Sequence, residues 1–135
     1  MGVRRKKSAR VSAIHKLDRV FSVFVRRSRA NLDGLVECVT CNKWMHWKDI
    51  HAGHYVSRRH MATRFDERNV HPQCAGCNTF QYGKLDTYSL YIRDEYGETI
   101  WRELLALKNT QRKWNADELQ QRIEHYQSLV DLLPN

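Results

Sequence analysis

Two closely spaced pairs of cysteines constrain this chain more than any other feature: Cys38 with Cys41, and Cys74 with Cys77. Two thiolates with two residues between them bind one metal ion from a single tight turn. Two such turns complete a tetrahedral zinc site with no open coordination position. A site of this kind stabilises a fold and performs no chemistry. The spacing therefore predicts a structural zinc ion, with paired disulfides or a redox dithiol as the alternatives.

The chain has a net charge of +8, and the positive charge is concentrated near its start. Residues 1–30 contain ten Lys or Arg and one acid, Asp18. This distribution favours a protein that contacts a polyanion such as a nucleic acid at one end. The alternatives are a solubilising tail and a segment that binds a membrane surface or the ribosome. Residues 1–11 are predicted to be a flexible basic arm that contacts DNA through Arg4, Arg5, Lys6 and Lys7.

No apolar run approaches the roughly 20 residues needed to span a bilayer. The basic start also lacks the apolar stretch of a secretory signal. We therefore expect a cytoplasmic protein with reduced thiols, no membrane partner and no small-molecule cofactor.

Hydrophobic periodicity divides the chain after the arm into three regions. Residues 12–34 have apolar residues at helical spacing and are predicted to contain one helix. Residues 35–85 are rich in Cys, His and Trp; strands are predicted over 44–50 and 53–56, a turn after 67–72, and a helix that begins near Cys74. Residues 86–135 are predicted to be helical, over 86–96, 98–108 and a last helix that a capping box of Asn115 and Glu118 begins.

The segment between the cysteine pairs contains the candidate chemistry. Its 32 residues exceed the roughly 15–20 of an ordinary zinc ribbon, and it contains five of the seven histidines: His46, His51, His54, His60 and His71. Hydrolysis of a phosphodiester requires a base that activates water and a cation that neutralises the growing charge. A neutral imidazole suits the first role, and a hard divalent ion suits the second.

Two motifs in this region resemble those of a known family. Ala52, Gly53, His54 and Tyr55 form the first. Asn69 followed by the second cysteine pair and Asn78 forms the other. Together with the first cysteine pair they resemble the HNH nucleases that have a double CxxC zinc site. More narrowly, over residues 35–133, they resemble the NinG/Rap recombination nucleases of lambdoid phages. The resemblance implies an α+β fold with a ββα-metal (His-Me finger, HNH) core around the four-cysteine zinc site, flanked by an N-terminal helix and a C-terminal helical region.

The resemblance also implies roles for individual residues. His54 takes the position of the general base, Asn69 ties the following loop to the hairpin and orients the base, and Asn78 is a ligand of a catalytic Mg²⁺ or Mn²⁺ ion. HNH proteins often have Asp or His directly before the base, where this chain has Gly53. Because alternate residues of a strand share a face, His51 is the candidate second ligand and Asp49 the reserve.

Each of these roles has a structural alternative. His54 can instead be a structural histidine or a fifth zinc ligand, and Asn78 can be a turn or cap residue. His71 can contact substrate or metal, or pack against the zinc-bound turns. The phosphate contacts predicted near the hairpin, which can also be an ordinary solvated face, are Arg58, Arg59, Arg64, Arg68 and Lys84.

We therefore expect a metal-dependent endonuclease that cuts branched DNA intermediates of phage recombination, such as Holliday junctions and D-loops, in the host cytoplasm. A homodimer would supply the two matched cuts that a four-way junction requires. The alternatives are a zinc-stabilised DNA-binding accessory without catalysis and a general HNH nuclease that acts on duplex DNA.

Overall fold

The computed structural model describes residues 8–134, so the predicted contacts of Arg4, Arg5, Lys6 and Lys7 lie outside the described residues. Nine elements follow one another along this range. The helices are α1 (Ala9–Arg27), α2 (Leu85–Tyr96), α3 (Glu98–Leu107) and α4 (Ala116–Asp131), and the strands are β1 (Leu35–Glu37), β2 (Trp44–His46), β3 (His51–His54) and β4 (Val70–Gln73). A single π-helical turn, Gly76–Phe80, follows β4.

The two longest helices, α1 and α4, pack against each other and form the main core. Ser8 caps α1 by accepting a hydrogen bond from the backbone N–H of Val11, 3.1 Å away. Asn115 and Glu118 form the predicted capping box at the start of α4, which satisfies N–H groups that a helix leaves unpaired. The buried side chains of this core are Ile14, Leu17, Phe21, Val25, Phe65, Val70, Trp114, Leu119, Ile123 and Tyr126.

Four short strands form two separate antiparallel hairpins. β1 pairs with β2, and the first cysteine pair lies in their connection. β3 pairs with β4 so that His51 lies opposite Gln73 and His54 opposite Val70. The predicted strand over 44–50 was wrong in extent, because the chain turns after His46 and a new strand starts at His51. The segment predicted to lead into a turn likewise contains β4 from Val70.

Helices α2 and α3 pack against each other, and α2 contacts both strands of the second hairpin through Tyr88. Gly97, with φ +89°, ends α2 and starts α3. Their shared core consists of Tyr88, Ile92 and Leu104 packed with Val56. The Tyr88 hydroxyl donates a hydrogen bond of 2.6 Å to the carbonyl of Gly53, which attaches α2 directly to β3.

These elements confirm the predicted α+β class and place the four cysteines in one cluster. The N-terminal helix starts earlier than residue 12 and ends at Arg27. None of the helices within residues 8–134 is long and apolar enough to cross a membrane.

Candidate functional site

The four cysteine sulfurs meet at one point between the hairpins. All four lie within 4.8 Å of one another, and the Sγ atoms of Cys41 and Cys74 are 3.7 Å apart. A tetrahedral zinc ion with Zn–S bonds of about 2.3 Å places neighbouring sulfurs about 3.8 Å apart, whereas a disulfide requires about 2.05 Å. The donor set and its spacing therefore fit a zinc ion, and all four cysteines are free of disulfides.

The thiols of this cluster have pKa values shifted in opposite directions. Burial raises the pKa of Cys38, but hydrogen bonds from the Thr40 hydroxyl and the backbone N–H of Cys74 outweigh it and lower that pKa to about 6. Burial raises the pKa of Cys77 to about 12. Four thiolates this close together repel one another, and a zinc ion bound here would supply the positive charge that favours the deprotonated form of all four thiols.

His54, at the end of β3, is held in one tautomer by the backbone. Its Nε2 lies 2.9 Å from the carbonyl oxygen of Arg64. A carbonyl oxygen only accepts hydrogen bonds, so Nε2 carries the proton and Nδ1 of the neutral ring has a free lone pair. Nδ1 has no hydrogen-bond partner among residues 8–134 and is not buried from solvent.

The electrostatic surroundings favour the neutral form of this ring. Burial lowers the pKa of His54, the Arg64 carbonyl and the charge of Asp18 oppose that effect, and the charges of Arg58 and Arg64 add to it. The net shift is downward from the ordinary value of 6.5. His54 is therefore neutral at pH 7 and can accept a proton at Nδ1.

Asn69, which is completely buried, fixes the loop that provides this carbonyl. Its amide donates to the carbonyls of Val56 (3.0 Å) and Thr63 (3.1 Å), and its Oδ1 accepts from the N–H of Val56 (2.7 Å). Arg64 is held in addition by Asp18 of α1, 2.9 Å from Nε to Oδ1. The loop therefore cannot move the Arg64 carbonyl away from His54 without breaking several buried contacts.

His51 and Asn78 are brought side by side. The Nδ1 atom of His51 and the side-chain amide of Asn78 are 3.1 Å apart, although the two residues are far apart in sequence. The backbone N–H of Asn78 donates 2.8 Å to the carbonyl of Cys74, so the second cysteine turn positions it. Neither His51 nor the reserve ligand Asp49, which lies in the turn before β3, lines the cleft beside His54; of the three candidate ligands, Asn78 does.

The absence of a side chain at Gly53 has a packing cause. A Cβ atom there would lie 2.1 Å from Oε1 and 2.8 Å from Cβ of Gln73. Gln73 is fully buried and donates hydrogen bonds to the Thr40 hydroxyl (3.2 Å) and the Gly83 carbonyl (2.8 Å). The space that a side chain at position 53 would need is therefore filled by Gln73.

His54 and Asn78 line one open cleft of about 550 Å³. Two of the predicted phosphate contacts, Arg58 and Arg59, also line it. Lys108 and Tyr82 line it too, and the sequence analysis did not identify either. Lys108 reaches the cleft only through the packing of α3, so no local sequence signal indicates it.

The other predicted phosphate contacts are arranged differently. Arg64 pairs with Asp18, and Arg68 pairs with Asp66 at 2.7 Å and with Glu103 at 3.0 Å. Lys84 precedes α2 with φ +46° and is not among the residues that line the cleft. Arg58 and Arg59 are therefore better placed for phosphate than these three.

His71 is a structural residue. It is completely buried, with Nδ1 3.0 Å from the Tyr88 hydroxyl and Nε2 2.8 Å from the Tyr96 hydroxyl. Burial and the nearby charge of Arg29 lower its pKa to about 3. Within residues 8–134 the metal-binding cluster consists of the four cysteines alone, so neither His71 nor His54 is a fifth ligand.

Comparison with known proteins supports the NinG part of the resemblance. The sequence model described as Bacteriophage Lambda NinG protein matches residues 3–135. The chain belongs to the NinG family. It is 28% identical over 123 residues to the protein ninG of Escherichia phage 933W, which covers 88% of this chain and 57% of that protein. The ninG proteins of Salmonella phage P22 and Escherichia phage lambda are also 28% identical over 123 residues.

The chain spans a little over half the length of these relatives, 56% in the case of the phage lambda protein. No solved structure matches the chain.

Proposed function

We propose that this NinG protein is a metal-dependent DNA endonuclease with an HNH-type ββα-metal core, in which His54 is the general base. The observation that carries the proposal is the state of the His54 ring. One nitrogen is fixed by the Arg64 carbonyl, the other has no hydrogen-bond partner among residues 8–134, and the residue lines a cleft together with Arg58, Arg59 and Lys108. β3, β4 and the helical turn that contains Asn78 supply the two strands and the helix of such a core.

In this mechanism His54 accepts a proton at Nδ1 from a water molecule that attacks phosphorus. The Arg64 carbonyl stabilises the imidazolium that results, because Nε2–H remains its donor. Arg58 and Arg59 hold the phosphates on either side of the cut, as guanidinium groups do well. Proton transfer to a positioned base accounts for about 10²–10⁴-fold of the rate.

Asn78 and His51 would hold the divalent cation. Adjacent ligands of an octahedral ion with bonds of about 2.1 Å lie about 3.0 Å apart, close to the 3.1 Å between His51 Nδ1 and the Asn78 amide. A rotation of that amide presents its oxygen in place of its nitrogen. Bound there, Mg²⁺ or Mn²⁺ would neutralise charge on the phosphate and on the leaving 3′ oxygen.

The substrate in this proposal is branched DNA formed during phage recombination, and the active form in the host cytoplasm is a homodimer. The resemblance to the recombination nucleases supports the branched substrate, and the need for two matched cuts supports the dimer. The net charge of +8 supports DNA as the partner.

A cleavage assay with paired variants tests the proposal. Four-way, three-strand and fully duplex DNA of equal length are incubated with the protein at fixed salt, with Mg²⁺, with Mn²⁺ and without added ion. His54→Ala is compared with His125→Ala, because His125 is exposed on α4, away from the cleft. Zinc content and circular dichroism show whether each variant is folded.

We expect ion-dependent cutting of the branched substrates, reduced at least 10²-fold by His54→Ala and unchanged by His125→Ala. A wild-type protein that binds but never cuts would favour the DNA-binding accessory. Equal cutting of all three substrates would favour a general duplex nuclease.

A further inference from the structure

An aromatic ring stands exposed at the edge of the His54 cleft. Tyr82 lines the cleft with 89% of its surface accessible, and the nearby Phe80 is 78% accessible. Large aromatic side chains normally bury most of their area. Two of them exposed within three residues indicate a surface that something else covers.

The backbone at Tyr82 is held in a conformation that a bulky residue rarely adopts. Tyr82, Gly83 and Lys84 have φ angles of +52°, +86° and +46° in succession. Left-handed conformations at non-glycine residues are uncommon, and they persist only where the surroundings enforce them. Fraying of the chain is therefore not the reason why the ring is exposed.

Hydrogen bonds attach this turn to the second cysteine pair. The N–H of Gly83 donates to the Cys77 carbonyl (2.8 Å), and the N–H of Gln81 donates to the Gly76 carbonyl (3.0 Å). The buried amide of Gln73 donates 2.8 Å to the Gly83 carbonyl. The second cysteine turn and β4 thus hold the backbone that carries the Tyr82 side chain in a fixed place beside the cleft.

The cleft around Tyr82 combines apolar surface with positive charge. Leu85 and Leu105 line it together with Tyr82, while Arg58, Arg59 and Lys108 provide the charge. Among the described residues that line the cleft, the one carboxylate is Asp18, and both of its oxygens bind Arg64. A flat ring in one cleft with cations that form no ion pair among residues 8–134 matches a nucleotide, whose base stacks and whose phosphate pairs with the cations.

We propose that Tyr82 is a stacking platform for an unpaired nucleobase of DNA, next to the phosphate held in the His54 cleft. Bases inside a duplex are already stacked on both faces, so only an unpaired or displaced base can cover the ring. Tyr82 thereby selects DNA at a branch point or in a single-stranded segment. This inference rests on the proposed function for its substrate, and its test measures binding and requires no cleavage.

The test is a double-mutant cycle between the ring and a base. Affinities for a fluorescein-labelled four-way junction are measured in a His54→Ala background without added Mg²⁺ or Mn²⁺. A single abasic site is placed in turn at each position around the branch. The variants are Tyr82→Ala and Tyr82→Phe, with Trp44→Ala as the control. Trp44 is also an exposed aromatic residue but does not line this cleft.

We expect Tyr82→Ala to weaken junction binding about 5- to 150-fold, the range of one stacked base. The affinities of Tyr82→Phe and Trp44→Ala should stay within about 2-fold of the parent, because phenylalanine keeps the ring at position 82 and Trp44 takes no part in the stacking. An abasic site at one position should weaken junction binding by the parent protein. The same abasic site should not weaken binding by Tyr82→Ala any further, because that variant has already lost the stacking contact. The Tyr82 variants should bind a fully paired duplex as the parent does.

Three results would overturn the stacking role: no loss with Tyr82→Ala, an equal loss on intact and abasic DNA at every position, or a loss with Tyr82→Phe as large as with Tyr82→Ala. These results leave the proposed endonuclease standing if the wild type cuts DNA. Conversely, if all the expected affinity changes are found but the wild type never cuts DNA, the stacking platform is supported and the endonuclease is rejected.

Discussion

Substitution of Gly53 by alanine tests the packing that holds His54 and the Tyr82 turn in place. The added Cβ atom would lie 2.1 Å from Gln73 Oε1, 2.8 Å from Gln73 Cβ and 3.1 Å from Gln73 Cδ. Gln73 is fully buried, so its side chain has no free space to enter. Either the amide turns away from Thr40 and Gly83, or β3 and β4 separate.

The expected cost follows from these contacts. Overpacking a buried site costs about 1–3 kcal/mol, and the loss of the two hydrogen bonds of the Gln73 amide costs about 0.5–1.5 kcal/mol each. Alanine restricts the unfolded chain, which offsets about 0.4–1 kcal/mol. The free energy of unfolding should therefore fall by about 3 kcal/mol, which lowers Tm by about 10 °C for a chain of this size.

Urea denaturation followed by circular dichroism measures this change, with Gly76→Ala as the matched control. The Cβ of an alanine at position 76 meets only Cys74 Sγ at 3.8 Å, an ordinary contact. Gln73→Ala and the double variant complete the cycle, and the double variant should lose less than the sum of the single losses. Equal stability of Gly53→Ala and Gly76→Ala, or strict additivity in the cycle, would refute the reasoning.

Three further predictions concern the buried histidine, the zinc cluster and the arginines. The pKa of His71 is lowered to about 3 in the folded protein, so between about pH 3 and 6.5 the unfolded chain binds a proton at His71 that the folded chain does not. The contribution of the neutral ring to the free energy of unfolding is therefore full above about pH 6.5 and falls by about 1.4 kcal/mol per pH unit below it. Denaturation at pH 7.5, 6 and 5 should show a shallower decline for His71→Gln, and equal slopes would contradict the assignment. Native mass spectrometry should find one zinc ion per chain in the wild type and loss of that ion in Cys77→Ser, which should also bind DNA more weakly. Full zinc occupancy in Cys77→Ser would exclude the four-thiol site. Arg58→Ala and Arg59→Ala should each reduce the slope of log affinity against log salt by about 1, whereas Arg68→Ala, whose guanidinium pairs with two acids, should leave the slope unchanged.

Local chemistry made the helices and the metal cluster predictable. The apolar periodicity of α1 and α4 and the capping box at Asn115 are properties of short segments, and the structure contains all three. The four cysteines could be assigned to one site because metal binding requires four ligands and the spacing supplies two per turn. Nothing beyond neighbouring residues is needed for these inferences.

The remaining features depend on contacts between distant segments. The strand predicted over 44–50 stops at His46 because pairing with β1 ends there. Arg64 looks like a free cation in the sequence, but Asp18 reaches it from α1; Arg68 pairs with its neighbour Asp66 and also with Glu103 of α3. Lys108 enters the cleft only through the packing of α3.

The glycine before His54 shows how a departure from a family pattern can have a structural cause. In the sequence, Gly53 stands where the resembled family often has a metal ligand. The alternation of side chains along a strand then predicts His51, or Asp49, as the ligand in its place. The structure shows that Gln73 fills the space at position 53, and that His51, three residues before His54, lies beside Asn78. Only the pairing register of β3 with β4 reveals that glutamine.

The most direct measurement of the central claim is the pH dependence of single-turnover cleavage of a four-way junction at saturating Mn²⁺. In the proposed mechanism the neutral His54 ring is the active form, and burial holds its pKa below the ordinary 6.5. The rate should therefore rise tenfold per pH unit at low pH and then reach a plateau, with the midpoint of this transition below pH 6.5. His54→Ala should lose most of the rate and the rise with pH. A midpoint well above 6.5, or a His54→Ala protein that cuts at the wild-type rate, would contradict the assignment of His54 as the base.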